Sequence, residues 1–225
     1  MKFIDLHTHT IFSDGELIPS ELVWRARAAD YDTIALTDHI DQSNIDFVIP
    51  RIARISTILT RSTGLTVIPG AELTYVVPED ISGVVRRARR LGARIAVVHG
   101  ETVAEPAVPE GTNHAALLSD IDILAHPGKL SEEDAHLAKE RGIYIEVTTR
   151  SQHAVTNGAV IQRACAAGAL MIMNTDAHGP EDLLTMEKAF QTLKNAGVQE
   201  SNIKETFDQM QNNARELILG RAKKR

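Results

Sequence analysis

The chain has 225 residues, 43% of them hydrophobic but only 4% aromatic, and a formal net charge of −6. Its core must be Ile, Leu, Val and Ala, which suits parallel strands buried on both faces. The charge balance excludes a strong overall basic field for gripping a nucleic-acid backbone, and the single cysteine excludes an internal disulfide.

Short apolar runs alternate with helical patterns along the whole chain. F-I-D-L from Phe3 reads as a strand, followed by a helix over 19–30 that Pro19-Ser20-Glu21 begins. T-I-A-L-T from Thr33 precedes a helix over 44–63, and T-V-I-P from Thr66 precedes one over 79–91. R-I-A-V-V from Arg94 leads to a helix near 113–119. I-D-I-L-A from Ile121 leads to one over 131–141, where Ser131 is the expected N-cap with acids in the first turn. Y-I-E-V from Tyr144 leads to a helix over 158–167, and L-M-I-M from Leu170 to helices over 181–196 and 202–219. Gly64, Gly92, Gly142 and Gly168 stand where helices should stop.

Seven such β-α units imply parallel strands with right-handed crossovers. No linker or low-complexity segment interrupts them, so one domain over 1–225 is expected. A closed barrel and an open doubly wound sheet both satisfy the alternation. The first turn lacks the Gly-rich phosphate loop of the open sheet. Chemistry-bearing residues after nearly every strand favour closure, because a barrel gathers all strand ends into one ring.

Those residues come in chain order. Strand one is followed by His7, His9 and Asp14, strand two by His39, strand three by Glu72. Strand four ends at His99, strand five at His126, and strand seven leads to Asp176 and His178. Six of the nine histidines thus lie just past strands. Taken singly, most would be packed core histidines or helix caps. Taken together, imidazoles and carboxylates on one face are a ligand set for Zn, Mn or Fe, too large for one tetrahedral ion. Of the other histidines, His136 falls on a polar helix face and His114 at a helix start, while His153 follows strand six on the ligand face. Cys165, among alanines, is expected to be a small buried hydrophobe. The first residues lack a signal-peptide pattern and no stretch is long and apolar enough to span a membrane, so a cytoplasmic protein is expected. The A-K-K-R tail reads as a solvated end.

The motifs D-L-H-T-H-T from Asp5, S-D-G from Ser13, T-D-H from Thr37, G-A-E from Gly70, A-H-P from Ala125 and T-D-A-H from Thr175, with His99, resemble the PHP (polymerase and histidinol phosphatase) superfamily. The resemblance implies a distorted seven-stranded (βα) barrel with a trinuclear metal centre. Carried over, it places His7, His9, Glu72 and Asp176 on a first ion. A second ion would share Glu72 and add His99 and His126. A third would take Asp14, His39 and His178. Many relatives have histidine where Asp14 stands.

That centre implies a phosphoesterase acting on a small phosphomonoester such as histidinol phosphate, using a metal-activated hydroxide and two or three divalent ions. Glu72, Asp176 and His178 are expected to act in catalysis. Arg150, with its bidentate fork, is the expected phosphate anchor, with His153 and Lys129 as further substrate contacts. The helix start at Asn157-Gly158 is a candidate source of N–H donors to an anion. The Pro- and Glu-rich segment 101–113 reads as a lid or substrate-contacting loop. The alternative is a phosphodiesterase or 3′-exonuclease acting on nucleotides or single strands, which the acidic balance disfavours. A scaffold that has lost its metals ranks last, because all the ligand positions are filled. No membrane partner is expected.

Overall fold

The computed structural model describes residues 2–223, so Lys224 and Arg225 of the basic tail lie outside the described residues. The elements in order are β1 (Phe3–Asp5), α1 (Pro19–Ala28), β2 (Tyr31–Leu36), β3 (His39–Ile40), α2 (Ile45–Thr63), β4 (Thr66–Leu73), α3 (Ile81–Leu91) and β5 (Ile95–His99). There follow α4 (Thr112–Leu117), β6 (Ile123–Ala125), α5 (Glu132–Arg141), β7 (Tyr144–Thr148), α6 (Ser151–Ala154), α7 (Asn157–Ala167), β8 (Met171–Asn174), α8 (Met186–Asn195) and α9 (Ile203–Lys223).

The strands are parallel and lie in the order β1-β2-β4-β5-β6-β7-β8. The two-residue β3 pairs with β4 beyond the end of β2, so β2 and β3 read as one interrupted strand. The result is a nearly closed, distorted (βα)7 barrel, as expected from the alternation. The expected caps also form. Gly64, Gly92, Gly142 and Gly168 all have positive φ, and the Ser131 hydroxyl accepts from the Asp134 N–H.

Strand parity divides the core into two layers. Ile34, Leu36, Ala96, Val98, Ile145, Val147 and Met173 face outward and pack under the helices with Leu22, Ile49, Ile52, Val85 and Leu193. Ile4, Leu6, Ala35, Ile68, Ile95, Val97, Ile123, Tyr144 and Ile172 face inward and fill the barrel, and Ala214 and Leu217 of α9 close its lower end. Burial stabilises by roughly 1.5–3 kcal/mol for each such Val, Leu or Ile side chain. The same inward parity carries Glu72, Glu146 and Asn174 into the upper barrel, where the apolar filling stops.

The seam between β1 and β8 is closed by polar groups. Asp176 N–H donates to the His7 carbonyl at 3.0 Å and His9 N–H to the Ala177 carbonyl at 2.8 Å. Below these, the Asn174 Oδ1 accepts from Leu6 N–H at 2.9 Å. The Gln211 amide of α9 accepts from Ile4 N–H and donates to the Ile4 carbonyl, standing in for a neighbouring strand. Asp5 completes the seam, accepting from the Thr175 hydroxyl at 2.6 Å and from His7 N–H.

Two sequence expectations fail here. Cys165 is exposed, because α7 turns Asn157, Val160, Ala164 and Ala167 inward and the residue after Ala164 points about 100° away. The start of α7 is not an open anion site. Asn157 is buried and clamps both backbone groups of Thr148, and Gly158 lies against the Ala196 carbonyl.

Candidate metal centre

The structure brings all of the expected donors together at the C-terminal end of the barrel. His7 Nε2 lies 3.3 Å from Glu72 Oε2 and 3.7 Å from Asp176 Oδ1. His9 Nε2 lies 3.5 Å and 3.1 Å from the same two oxygens. On the other side of Glu72, its Oε1 lies 3.5 Å from His126 Nε2, beside His99. Asp14 Oδ1 lies 3.4 Å from His39 Nε2 and 3.2 Å from His178 Nε2. Glu72 is thus common ground between pockets, one carboxylate oxygen facing each way.

Two tests on these atoms favour cations. Ligands held at about 2.0–2.1 Å by a tetrahedral ion lie about 3.3 Å apart, close to the separations above. The buried donors also lack other partners. His7 Nε2, His9 Nε2, Glu72 Oε1, both His126 ring nitrogens and Asp176 Oδ1 are buried without a hydrogen bond, and Glu72 Oε2 meets only the surrounding ring nitrogens. Groups of this kind cost several kcal/mol when left unpaired in a protein interior. So many at one point fit more than one divalent ion.

Ring orientation supports the same reading. A ligating histidine ties one nitrogen to a protein oxygen and aims the other at the metal. His7 Nδ1 donates to Glu146 Oε2 at 2.8 Å, His178 Nδ1 to the Asp176 carbonyl at 2.9 Å, and His99 Nδ1 to the Gly100 carbonyl at 3.1 Å. Ser13 gives its hydroxyl proton to Asp38 and receives His9 Nδ1 at 3.4 Å. His39 Nδ1 meets Thr74 Oγ1 at 2.6 Å and Glu72 Oε2 at 2.7 Å. In each ring, Nε2 is left facing the pockets.

The protonation pattern follows from the crowding. Burial alone would strip the His7 proton, but Glu146, Glu72 and Asp176 override it and hold its pKa well above the ordinary value. Burial likewise opposes the charged form of His39, yet Glu72 and Asp14 raise it to about 10. His9, buried and beside the charged His39, falls to about 3. Burial works against the ionised forms of Glu72 and Asp176, but the surrounding imidazoles keep both carboxyls below their usual range. Without cations, the centre is held by imidazolium protons that metal binding must displace.

The backbone is strained at the same place. His126 and Asp176 adopt φ values of 27° and 53°, a left-handed region that costs a non-glycine residue about 1–3 kcal/mol and persists where the surroundings enforce it.

Arg150 reaches the centre as expected, its Nε 3.6 Å from Asp176 Oδ2 and its Nη1 3.7 Å from Asp182. His153 is buried among the donors, ring-stacked on His126 at 4.3 Å. Lys129 is exposed and lines a separate hollow with Glu101, Glu105 and Glu110, on the outer flank of the 101–113 segment. His114 pairs with Asp134 at 2.8 Å, joining α4 to α5, and His136 is exposed. The roles of Glu146 and Asp38 were missed in the sequence. For Glu146 the available signal was a carboxylate at an inward position of an otherwise apolar strand.

The PHP domain profile matches residues 5–126, more than half of the chain. The chain belongs to the PHP domain family. An uncharacterized protein from Methanocaldococcus jannaschii is 46% identical over 209 residues, covering 92% of this chain and 95% of that one. A probable phosphatase of a Thermoanaerobacter species is 26% identical over 233 residues, covering 92% and 91%. Among solved structures, an archaeal ribonuclease P bound to mature tRNA contains a chain with TM-score 0.71 at 16% identity, covering 96% of this PHP chain and 90% of its own. Histidinol phosphate phosphatase from Lactococcus lactis, complexed with zinc, L-histidinol and phosphate, has TM-score 0.62 at 16% identity, covering 88% and 95%. These two share the fold. Among the described residues, no helix is long and apolar enough to cross a membrane.

Proposed function

We propose that this single-domain PHP protein is a metal-dependent phosphoesterase whose substrate is a small phosphomonoester. The observation that carries the reading is the convergence of several buried His, Asp and Glu donor groups on and around Glu72, with the Arg150 guanidinium beside Asp176. His7, His9, Glu72 and Asp176 would hold one cation, Glu72, His99 and His126 a second, and Asp14, His39 and His178 a third. Cations so placed supply a water of lowered pKa and a clamp for phosphoryl oxygens.

The protein's own groups supply placement. Glu146 fixes the His7 ring, and Asp38 fixes His9 through Ser13. Arg150 binds a phosphoryl oxygen pair with its fork, a task for which the guanidinium is suited and always charged. Asp14, whose side chain is 57% exposed, marks the solvent side from which substrate enters. Lys129, in its separate hollow on the outer flank of the 101–113 segment, is not part of this constellation. The probable phosphatase among the relatives, and the histidinol and phosphate bound by the Lactococcus lactis enzyme, support a monoester and make histidinol phosphate the first compound to try.

A second reading, cleavage of RNA phosphodiesters, is favoured by 5′-3′ exoribonucleases among the relatives, one from Salmonella typhimurium being 39% identical over 72 residues. Phosphate release from histidinol phosphate and other small monoesters, beside cleavage of a dinucleotide and a short single strand, separates the two. Each substrate is assayed with Zn, Mn and Fe. Release from a monoester supports the first reading. Turnover of the diesters alone replaces it with the second.

A further inference from the structure

The 101–113 segment places a carboxylate over the second pocket. Glu105 Oε2 lies 3.5 Å from His99 Nε2, and its Oε1 lies 3.5 Å from His153 Nε2. His153 itself has the ring orientation of a ligand. Its Nδ1 meets Thr102 Oγ1 at 2.8 Å, which turns Nε2 toward the pocket, where the Gln152 side-chain amide also meets it at 3.2 Å, and the ring is 2% exposed. The nitrogens of His99, His126 and His153 are mutually close enough to share one ion. The sequence places His153 on this face only as a substrate contact and does not single out Glu105, which lies in a loop without periodicity.

We propose that His153 and Glu105 are additional metal ligands of the second pocket, and that Glu105 is the exchangeable one, giving way to an incoming anion. The inference rests on the metal reading of the site, independently of which ester is cleaved. His99, His126 and His153 are each at most 3% exposed and are fixed by strand ends or the packed turn after β7. Glu105 is different. Its side chain is 31% exposed and it belongs to the segment between β5 and α4.

The base of that segment is clasped. Glu101 N–H donates to Asn113 Oδ1 at 3.0 Å, and Asn113 N–H donates back to Glu101 Oε1 at 2.9 Å. Gly128, at φ 59°, lets the following loop approach so closely that a Cβ there would meet the Glu101 carbonyl at 2.2 Å. With the base fixed, the carboxylate at the tip has one further tie, the Tyr75 hydroxyl, which donates to Oε2 at 3.1 Å. Tyr75 is exposed and left-handed at φ 54°. The apolar filling of the barrel lies below these donors, so an anion would approach a cation held there from the exposed side that Glu105 occupies.

The test is Mn²⁺ titration of the full chain followed by electron paramagnetic resonance, with equilibrium dialysis of inorganic phosphate against the loaded protein. Glu105→Gln is expected to weaken one class of Mn²⁺ sites by about 10-fold or more. Once loaded at saturating metal, it is expected to bind phosphate several-fold more tightly than the unaltered protein. His153→Ala should weaken the same class of sites. Glu110→Gln, which removes an exposed charge from the same segment, should leave Mn²⁺ binding unchanged. Equal Mn²⁺ binding by Glu105→Gln and the unaltered protein would overturn the ligand role. Phosphate binding that is not strengthened would overturn the exchange. Failure of the unaltered protein to bind Mn²⁺, Zn²⁺ or Fe²⁺ at all would overturn the metal reading itself.

Discussion

His7 donates its Nδ1 proton to Glu146 at 2.8 Å inside the barrel, where neither side chain has any exposure. The Asn174 amide donates to the same Glu146 oxygen at 2.9 Å. The pair links the strand that begins the barrel to one that nearly completes it. It also fixes which His7 nitrogen faces Glu72 and Asp176.

Replacing that carboxylate should be felt at the first pocket. Glu146→Gln keeps the shape and one acceptor but removes the charge that orients His7 and raises its basicity. The expected loss in metal affinity is about 10–100-fold with the fold retained. Competition for Zn²⁺ with a chromophoric chelator measures it, and an affinity within twofold of the unaltered protein would reduce Glu146 to a packing role.

Metal removal should lower stability. Unpaired donors at Glu72, His126 and Asp176 are buried in the absence of cations, so ions bind the folded chain in preference to the unfolded one. At 100 times its Kd a ligand stabilises by about 2.7 kcal/mol, or roughly 5–10 °C in Tm for a chain of this size. Melting with and without a chelator checks this. Identical transitions would mean that the donors hold no ion in the folded state.

The pH dependence of metal binding has a fixed sign. His39 in the metal-free centre titrates at about 10, against an ordinary value of 6.5. Its contribution to metal-free stability is complete below about 6.5 and is lost as pH rises through about 10. Metal needs the neutral ring, so over that window binding releases the proton and affinity rises with pH, about tenfold per unit for each proton displaced. Isotherms at several pH values between 6.5 and 9 give the slope. Glu72→Gln, which removes the carboxylate facing His39, should flatten it.

How far the sequence announced this centre depends on where each residue sits relative to its strand. His7, His9, His39, Glu72, His99, His126, Asp176 and His178 lie in or just past the upper ends of parallel strands, and a parallel barrel sends all such positions to one face. Their convergence was therefore legible without knowing the packing. Glu146 lies inside a strand, where only the inward parity of β7 distinguishes it from a solvated acid. Glu105 depends on the path of a loop fixed by the Glu101–Asn113 clasp, a contact between side chain and backbone that leaves no periodic trace. Cys165 was misplaced by one position of helical phase.

Substitution of the shared carboxylate should be the most damaging single change. Glu72→Ala removes donors from both sides of the centre at once and leaves His7 and His39 without their common partner. Phosphate release is expected to fall by about 10²–10³-fold, with matching losses for His7→Ala and Asp176→Ala. Circular dichroism should report the barrel intact in each. Undiminished turnover by metal-depleted Glu72→Ala would sink the metal-dependent mechanism.

Arg150 tests the substrate side separately. Its guanidinium lies 3.6 Å from Asp176 and is 24% exposed, so it touches both a donor and the entrance. Arg150→Ala should lower kcat/KM for phosphomonoesters by about 10–100-fold, the range expected for a charge-assisted hydrogen bond worth about 1.5–3 kcal/mol. Metal content should stay unchanged. Arg150→Lys retains the charge but not the fork, so it should recover only part of the loss. If metal content falls together with kcat/KM in both variants, Arg150 acts by holding Asp176 in place. If kcat/KM alone falls, it binds the phosphate.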